Sequence, residues 1–123
     1  MIDIDTFEVI LDEIANTLPP VFYENLNGGI LLLPEVKIHP RAKNKDLYIL
    51  GQYCTHPVLG RYIVIYYGSF ERVHGHLELE ALRREMEKTL KHEFRHHMEG
   101  QAGIRDLELL DQQELEDYEG RGQ

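Results

Sequence analysis

An α+β domain, with a small mixed or antiparallel sheet carrying helices on one face, is the fold class this sequence predicts. Three observations carry the expectation. Apolar residues recur at helical spacing over 5–18, β-branched and aromatic runs follow between 30 and 67, and a second, longer helical stripe runs from 77 to 102. The length of 123 residues suits a single domain. We expect it to span 1–118, with 119–123 (EGRGQ) as a tail.

Taken in order, Phe7, Ile10, Leu11, Ile14 and Leu18 define an amphipathic N-terminal helix that Pro19-Pro20 ends. A short helical turn fits 21–26, and Asn27-Gly28-Gly29 breaks the chain into a strand over 30–38. Residues 39–46, with Pro40 and mixed charge, read as loop, and 46–54 as a second strand. Thr55-His56-Pro57 with Gly60 makes a turn. Arg61 to Tyr67 is the strongest strand signal in the chain, and Gly68-Ser69 should end it.

Leu79, Leu82, Met86, Leu90, Phe94 and Met98 then form a continuous stripe. At ~100° per residue it covers about 160° of a helix surface. Gln112–Tyr118 reads as a final short helix.

A hydrophobic fraction of 42% with 28% charged residues is globular composition and argues against disorder. Thirteen basic against twenty-two acidic residues give a net charge of −9, which repels phosphate backbones, so no nucleic-acid partner is expected. The basic cluster Arg41 to Lys45 is short and falls in a loop. Cys54, the single cysteine, has no internal disulfide partner and reads as a small buried residue. The N-terminus carries acids where a secretory signal carries Lys or Arg, and no apolar run approaches the ~20 residues of a membrane span. A cytoplasmic, non-membrane protein is the expectation.

The chemistry concentrates in His92-Glu93-Phe94-Arg95-His96, an HExxH pattern on the long helix. Histidines at i and i+4 point the same way one turn apart and can close on one Zn²⁺ at ~2.0–2.1 Å. Glu93, about 100° round the helix, flanks the ion without binding it and can take a proton from zinc-bound water. Against this stands the plainer reading of a solvated His/Glu helix face. Helical periodicity around the motif favours the metal, as do carboxylates downstream and the clustering of His92, His96 and Glu99 within roughly 60°, beside the apolar stripe, where a site is part-buried.

A third protein ligand is needed, and Glu99, Asp106 and Asp111 are its candidates. Gly103 could end the helix and let Asp106 curl back over the site. His97 falls on the apolar stripe and reads as a hydrogen-bonded core residue. His74 and His76 could line the mouth of the helix, and a hydroxyl of Tyr66 or Tyr67 could stabilise an oxyanion, though strand-end packing suits those tyrosines better.

The order of elements, the strand ending in Tyr-Gly-Ser-Phe and the helix carrying HEFRHHMEG resemble the small zincin-like metallopeptidase family of bacteria, the minimal HExxH zincins. The resemblance spans nearly the whole chain. It is most specific at Tyr67 to Phe70, His92 to Glu99 and Gly103 to Glu108. It implies a zinc-dependent peptidase-like fold with the pattern HExxHxxGxxD, which His92, Glu93 and His96 match. Glu99 stands where the pattern has Gly, and the Gly-x-x-Asp element comes four residues late, as Gly103 to Asp106. It implies Asp106 as third ligand, with Glu99 as the alternative.

The expected function is therefore that of a zinc metallopeptidase acting on a peptide or protein substrate, held in extended form at the sheet edge before Tyr67-Gly68. Two rivals stand beside it. One is a metal-stabilised binding or regulatory module without turnover. The other is a metal-dependent ribonuclease, which the charge of −9 disfavours.

Overall fold

In the computed structural model the backbone is described for residues 1–44 and 46–120, and side chains through Gly103. Helix α1 spans Ile4–Thr17. Its N-terminus is capped by Asp3, whose Oδ1 accepts the Thr6 N–H at 2.8 Å, and Leu18 with Pro19 and Pro20 stops it. The apolar spacing places Phe7, Ile10, Leu11 and Ile14 inward. A 3₁₀ turn, Pro20–Tyr23, follows where a helical turn was expected.

Strands β1 (Gly29–Leu33), β2 (Gly51–His56) and β3 (Gly60–Tyr66) form one sheet in the order β1-β3-β2. β1 runs parallel to β3 and β2 antiparallel to it, so the sheet is mixed. β3 is the middle strand, with Ile63, Val64, Ile65 and Tyr66 all buried. That explains its continuous apolar run, since a strand covered on both faces does not alternate.

The first strand stops at Leu33, short of the expected 38, because the chain must cross the end of β3 to reach the far side of the sheet. Ser69 pins the crossing: its Oγ accepts the Lys37 N–H at 2.8 Å and donates to the Lys37 carbonyl at 3.3 Å. A Cβ on Gly68 would lie 2.7 Å from the backbone of Glu35 and Val36, so only glycine fits there. The Gly-Ser pair therefore does not end structure. It opens a second helix, α2 (Tyr67–His74), packed against the crossing. The second strand likewise begins at Gly51, and residues 47–49 pair with 37–39 instead.

Helix α3 runs from Leu79 to Gly120 without a break. The expected end at Gly103 and the separate helix at Gln112–Tyr118 are thus merged into one element. Leu82, Met86, Leu90 and Phe94 are buried against α1 and the sheet, while Met98 is 39% exposed, so the core stripe ends one turn early. Burial of each such side chain is worth roughly 1.5–3 kcal/mol. The result is a small α+β domain with an N-terminal helix and a long C-terminal helix packed on a mixed sheet. Among the described residues no helix is long and apolar enough to cross a membrane.

Candidate functional site

α3 packs along β2, an outer strand of the sheet, and the two meet at the HExxH turn. An open cleft of about 550 Å³ lies between them, lined by Ile49, Gly51, Gln52, Tyr53, His92, Glu93 and His96. A second hollow of about 430 Å³ shares Ile49, Gly51, His92 and Glu93 and continues toward Glu85 and Lys88. The groove thus follows the free edge of β2.

His92 and His96 bring their Nε2 atoms to 3.1 Å, with rings nearly perpendicular at 86°. Two nitrogens on one tetrahedral Zn²⁺, each at ~2.0–2.1 Å, stand about 3.3–3.4 Å apart, so the pair fits such an ion after a small adjustment. Both histidines are exposed rather than part-buried. The buried member of the motif is Glu93, 6% exposed. Burial pushes its carboxyl above the usual carboxylate range, opposed by His92, His96 and a hydrogen bond from the Tyr53 backbone N–H.

The fit of Glu93 depends on Gly51. A Cβ there would meet Thr89 Cγ2 at 3.0 Å and Glu93 Cγ at 3.2 Å. Tyr53, two residues on, is fixed from behind. Its hydroxyl lies 2.8 Å from His97 Nδ1, and His97 Nε2 lies 2.7 Å from the Glu24 carbonyl. A carbonyl only accepts, so Nε2 carries the proton and the tyrosine donates to Nδ1. His97 is 1% exposed, a hydrogen-bonded core residue as the stripe implied. Neither Gly51 nor Tyr53 stood out in the sequence.

Of the third-ligand candidates, Glu99 is exposed and turned toward Arg95, its Oε1 accepting from Nε at 3.0 Å, with Oε2 4.0 Å from His96 Nδ1. The side chains of Asp106 and Asp111 lie outside the described residues. Among the described residues no three His, Cys, Asp or Glu side chains are grouped to hold a metal ion.

The remaining candidates lie elsewhere. Tyr66 donates to Gln52 Oε1 at 2.9 Å and Tyr67 to the Ile2 carbonyl at 2.6 Å, so both hydroxyls serve packing. His74 sits 3.7 Å from Glu85 and stacks near Phe70, and neither it nor His76 lines the cleft. Cys54 is half-buried with a free thiol.

No protein-family model matches the sequence, and no curated protein does. Among solved structures, the chain is similar to a conserved hypothetical protein from Thermo thermophilus, with 29% identity and a TM-score of 0.71. The likeness covers 83% of this chain and 99% of that one.

Proposed function

We propose that the chain is a zinc-dependent, peptidase-like hydrolase of the minimal HExxH kind. The observation that carries the reading is one juxtaposition. Two histidine nitrogens stand 3.1 Å apart beside a buried glutamate, all facing the free edge of a strand.

His92 and His96 are the residues that would hold zinc, which when bound supplies a Lewis acid for a carbonyl and brings the pKa of a water toward ~7. Glu93 takes the proton of the attacking water and passes it to the leaving amine. Its packing against Gly51 holds the carboxylate beside His92 and His96 in the cleft.

The substrate strand belongs at β2, not at β3, which has neighbours on both sides. The Tyr66 N–H donates to the Leu50 carbonyl, so along β2 the groups of Gln52 and Cys54 point into the ladder and those of Gly51, Tyr53 and Thr55 point outward. The Tyr53 N–H faces Glu93. Among the described residues nothing pairs with the Tyr53 carbonyl or with either group of Gly51, which leaves them for an extended peptide.

Asp106 is the nominal third ligand and Glu99 its alternative. Along an unbroken helix the Asp106 backbone lies about 15 Å beyond His96, so its use requires a bend between them. Gly100 and Gly103 would permit one. A Cβ at either meets nothing within 4 Å, so packing does not demand glycine there, although each costs ~0.5–1 kcal/mol against Ala in a helix.

The test compares wild type with Glu93→Gln, both purified without chelator. Each should carry about one zinc per chain, and wild type should cleave members of a broad peptide library while Glu93→Gln slows by ~10²–10⁴-fold. Equal cleavage by the two would overturn the role given to Glu93. Zinc in both with cleavage by neither would favour the binding module, a rival that the open form of the cleft keeps in play.

A further inference from the structure

The opposite edge of the sheet carries a second surface that the hydrolase reading does not use. β1 is the other outer strand, with β3 between it and β2. Strands are spaced ~4.7–4.9 Å, so this edge lies roughly 10 Å from β2 across the sheet. The even-numbered residues of β3 bond to β2, which turns its odd-numbered residues toward β1. In the parallel register that pairs Ile30 with Ile63 and Leu32 with Ile65, the groups of Gly29, Leu31 and Leu33 then enter the ladder. The N–H and C=O of Ile30 and Leu32 point out, and among the described residues nothing pairs with them.

Outer strands are usually protected from such pairing by charge, proline or a bulge. The sequence GILLL has none of these. Beside it α1 lends a stripe of Glu8, Leu11, Asp12 and Ala15, and a groove of about 180 Å³ runs between this stripe and Ile30 to Leu32. Its floor is apolar and its charged groups are both acidic. Glu8 and Asp12 are exposed, and no cation lines the groove.

We propose that the β1 edge is a docking strand for an extended segment of a partner protein that carries basic residues at alternate positions. The spacing suits it. Glu8 and Asp12, one helical turn apart, are separated by ~6 Å along α1. Alternate side chains of an extended strand repeat every ~6.6–6.8 Å on one face, so Lys or Arg at i and i+2 can meet both carboxylates while the backbone pairs with Ile30 and Leu32. Charge also selects against a second copy of this chain. Pairing β1 with β1 about a two-fold axis would bring two sets of Glu8 and Asp12 together on subunits of −9 each.

The experiment uses the full chain and a blocked ten-residue peptide of alternating lysine and threonine, titrated by fluorescence anisotropy. Binding should weaken about ten-fold in Glu8→Lys/Asp12→Lys, as expected for two exposed attractions turned into repulsions. It should change less than about two-fold in Glu78→Lys/Glu80→Lys, an equal charge change at exposed positions at the start of α3. Methylating alternate peptide nitrogens should abolish binding in one register and spare it in the other, because only one set of amides faces a β edge.

No binding up to millimolar peptide overturns the proposal. So does equal weakening by the two charge-reversed variants, which would mean attraction to net charge alone. Equal binding of both N-methylated registers overturns strand addition, and a wild-type dimer that the peptide dissociates would assign the edge to a second copy.

Discussion

The two edges of this sheet offer the same backbone and different chemistry. At β1 the outward groups of Ile30 and Leu32 face a groove whose helix, α1, supplies Glu8 and Asp12. At β2 the helix alongside is α3, which supplies His92, Glu93 and His96. The approach also differs in tightness. α3 comes close enough to β2 that position 51 has no free room for a Cβ, and the Tyr53 N–H is taken by Glu93. What an outer strand can do is therefore decided by the helix packed beside it and by how near that helix comes. Acids over an apolar floor are the ground for the proposed basic docking strand, whereas two histidines and a buried carboxylate are the ground for the proposed hydrolase.

The largest effects that would separate the edges concern the metal. His92→Ala or His96→Ala should remove zinc and activity together, while Glu8→Lys/Asp12→Lys at the far edge should leave both unchanged. Full zinc occupancy in a His92→Ala/His96→Ala double variant would sink the site assignment. Single alanine substitutions at Asp106, Glu99 and Asp111 should identify the third ligand, since its loss should cost far more zinc affinity than the ~10–100-fold typical of a residue that only orients a ligand. Gly103→Ala sharpens the choice, because favouring the straight helix should weaken zinc if Asp106 binds and leave it unaltered if Glu99 does.

How much of this was legible in the sequence follows from what each residue answers to. α1 and the buried half of α3 were readable because Phe7 to Ile14 and Leu82 to Phe94 answer to one helix face each. α2 was not, because Gly68 and Ser69 answer to a distant crossing at Glu35 to Lys37, and no local signal distinguishes that from a turn. The same crossing carries Val36 and Ile38, whose apolar character continues the strand pattern beyond the strand's end at Leu33. The continuous apolar run of β3 did contain the sign of a central strand, and reading it so would have moved the expected peptide edge to β2. At the site, HExxH located His92, Glu93 and His96 because one helical turn is enough to unite them. Gly51 and Tyr53 come from another strand, and only the packing of β2 on α3 brings them there.

Gly51 gives the next test in size. Gly51→Ala introduces a methyl at 3.0 Å from Thr89 Cγ2 and 3.2 Å from Glu93 Cγ, a contact that must be relieved by moving side chains. Misplacing a catalytic group by about 1 Å can cost ~10²-fold, and the few tenths needed here should cost about ten-fold in kcat. Zinc content should hold, since neither histidine is touched. Gly29, at the start of the other edge, has open space around its would-be Cβ, but its φ of +68° makes it a poor control. Ala15→Ser on the α1 stripe serves better and should leave kcat as it is. Equal kcat in Gly51→Ala and wild type would show that the glutamate does not depend on this glycine for its position.

The smallest effect falls on stability and asks whether the β2 edge is anchored differently from the β1 edge. Tyr53, His97 and the Glu24 carbonyl form a chain that ties β2 through α3 to the residue following the 3₁₀ turn, whereas α1 and β1 share no side-chain hydrogen bond among the described residues. Tyr53→Phe keeps the ring and leaves the buried Nδ1 of His97 without its donor. A buried acceptor stranded in this way costs ~1–3 kcal/mol, which should appear as a lower urea midpoint at unchanged slope. Asp12→Ala, exposed on the α1 stripe, should stay within about 0.5 kcal/mol of wild type. His97→Leu removes the acceptor itself. Combining it with Tyr53→Phe should then destabilise by less than the sum of the two, the mark of residues that act through one another. If Tyr53→Phe is as stable as wild type, or the pair is additive, then Tyr53 is held by packing alone and the two edges are anchored alike.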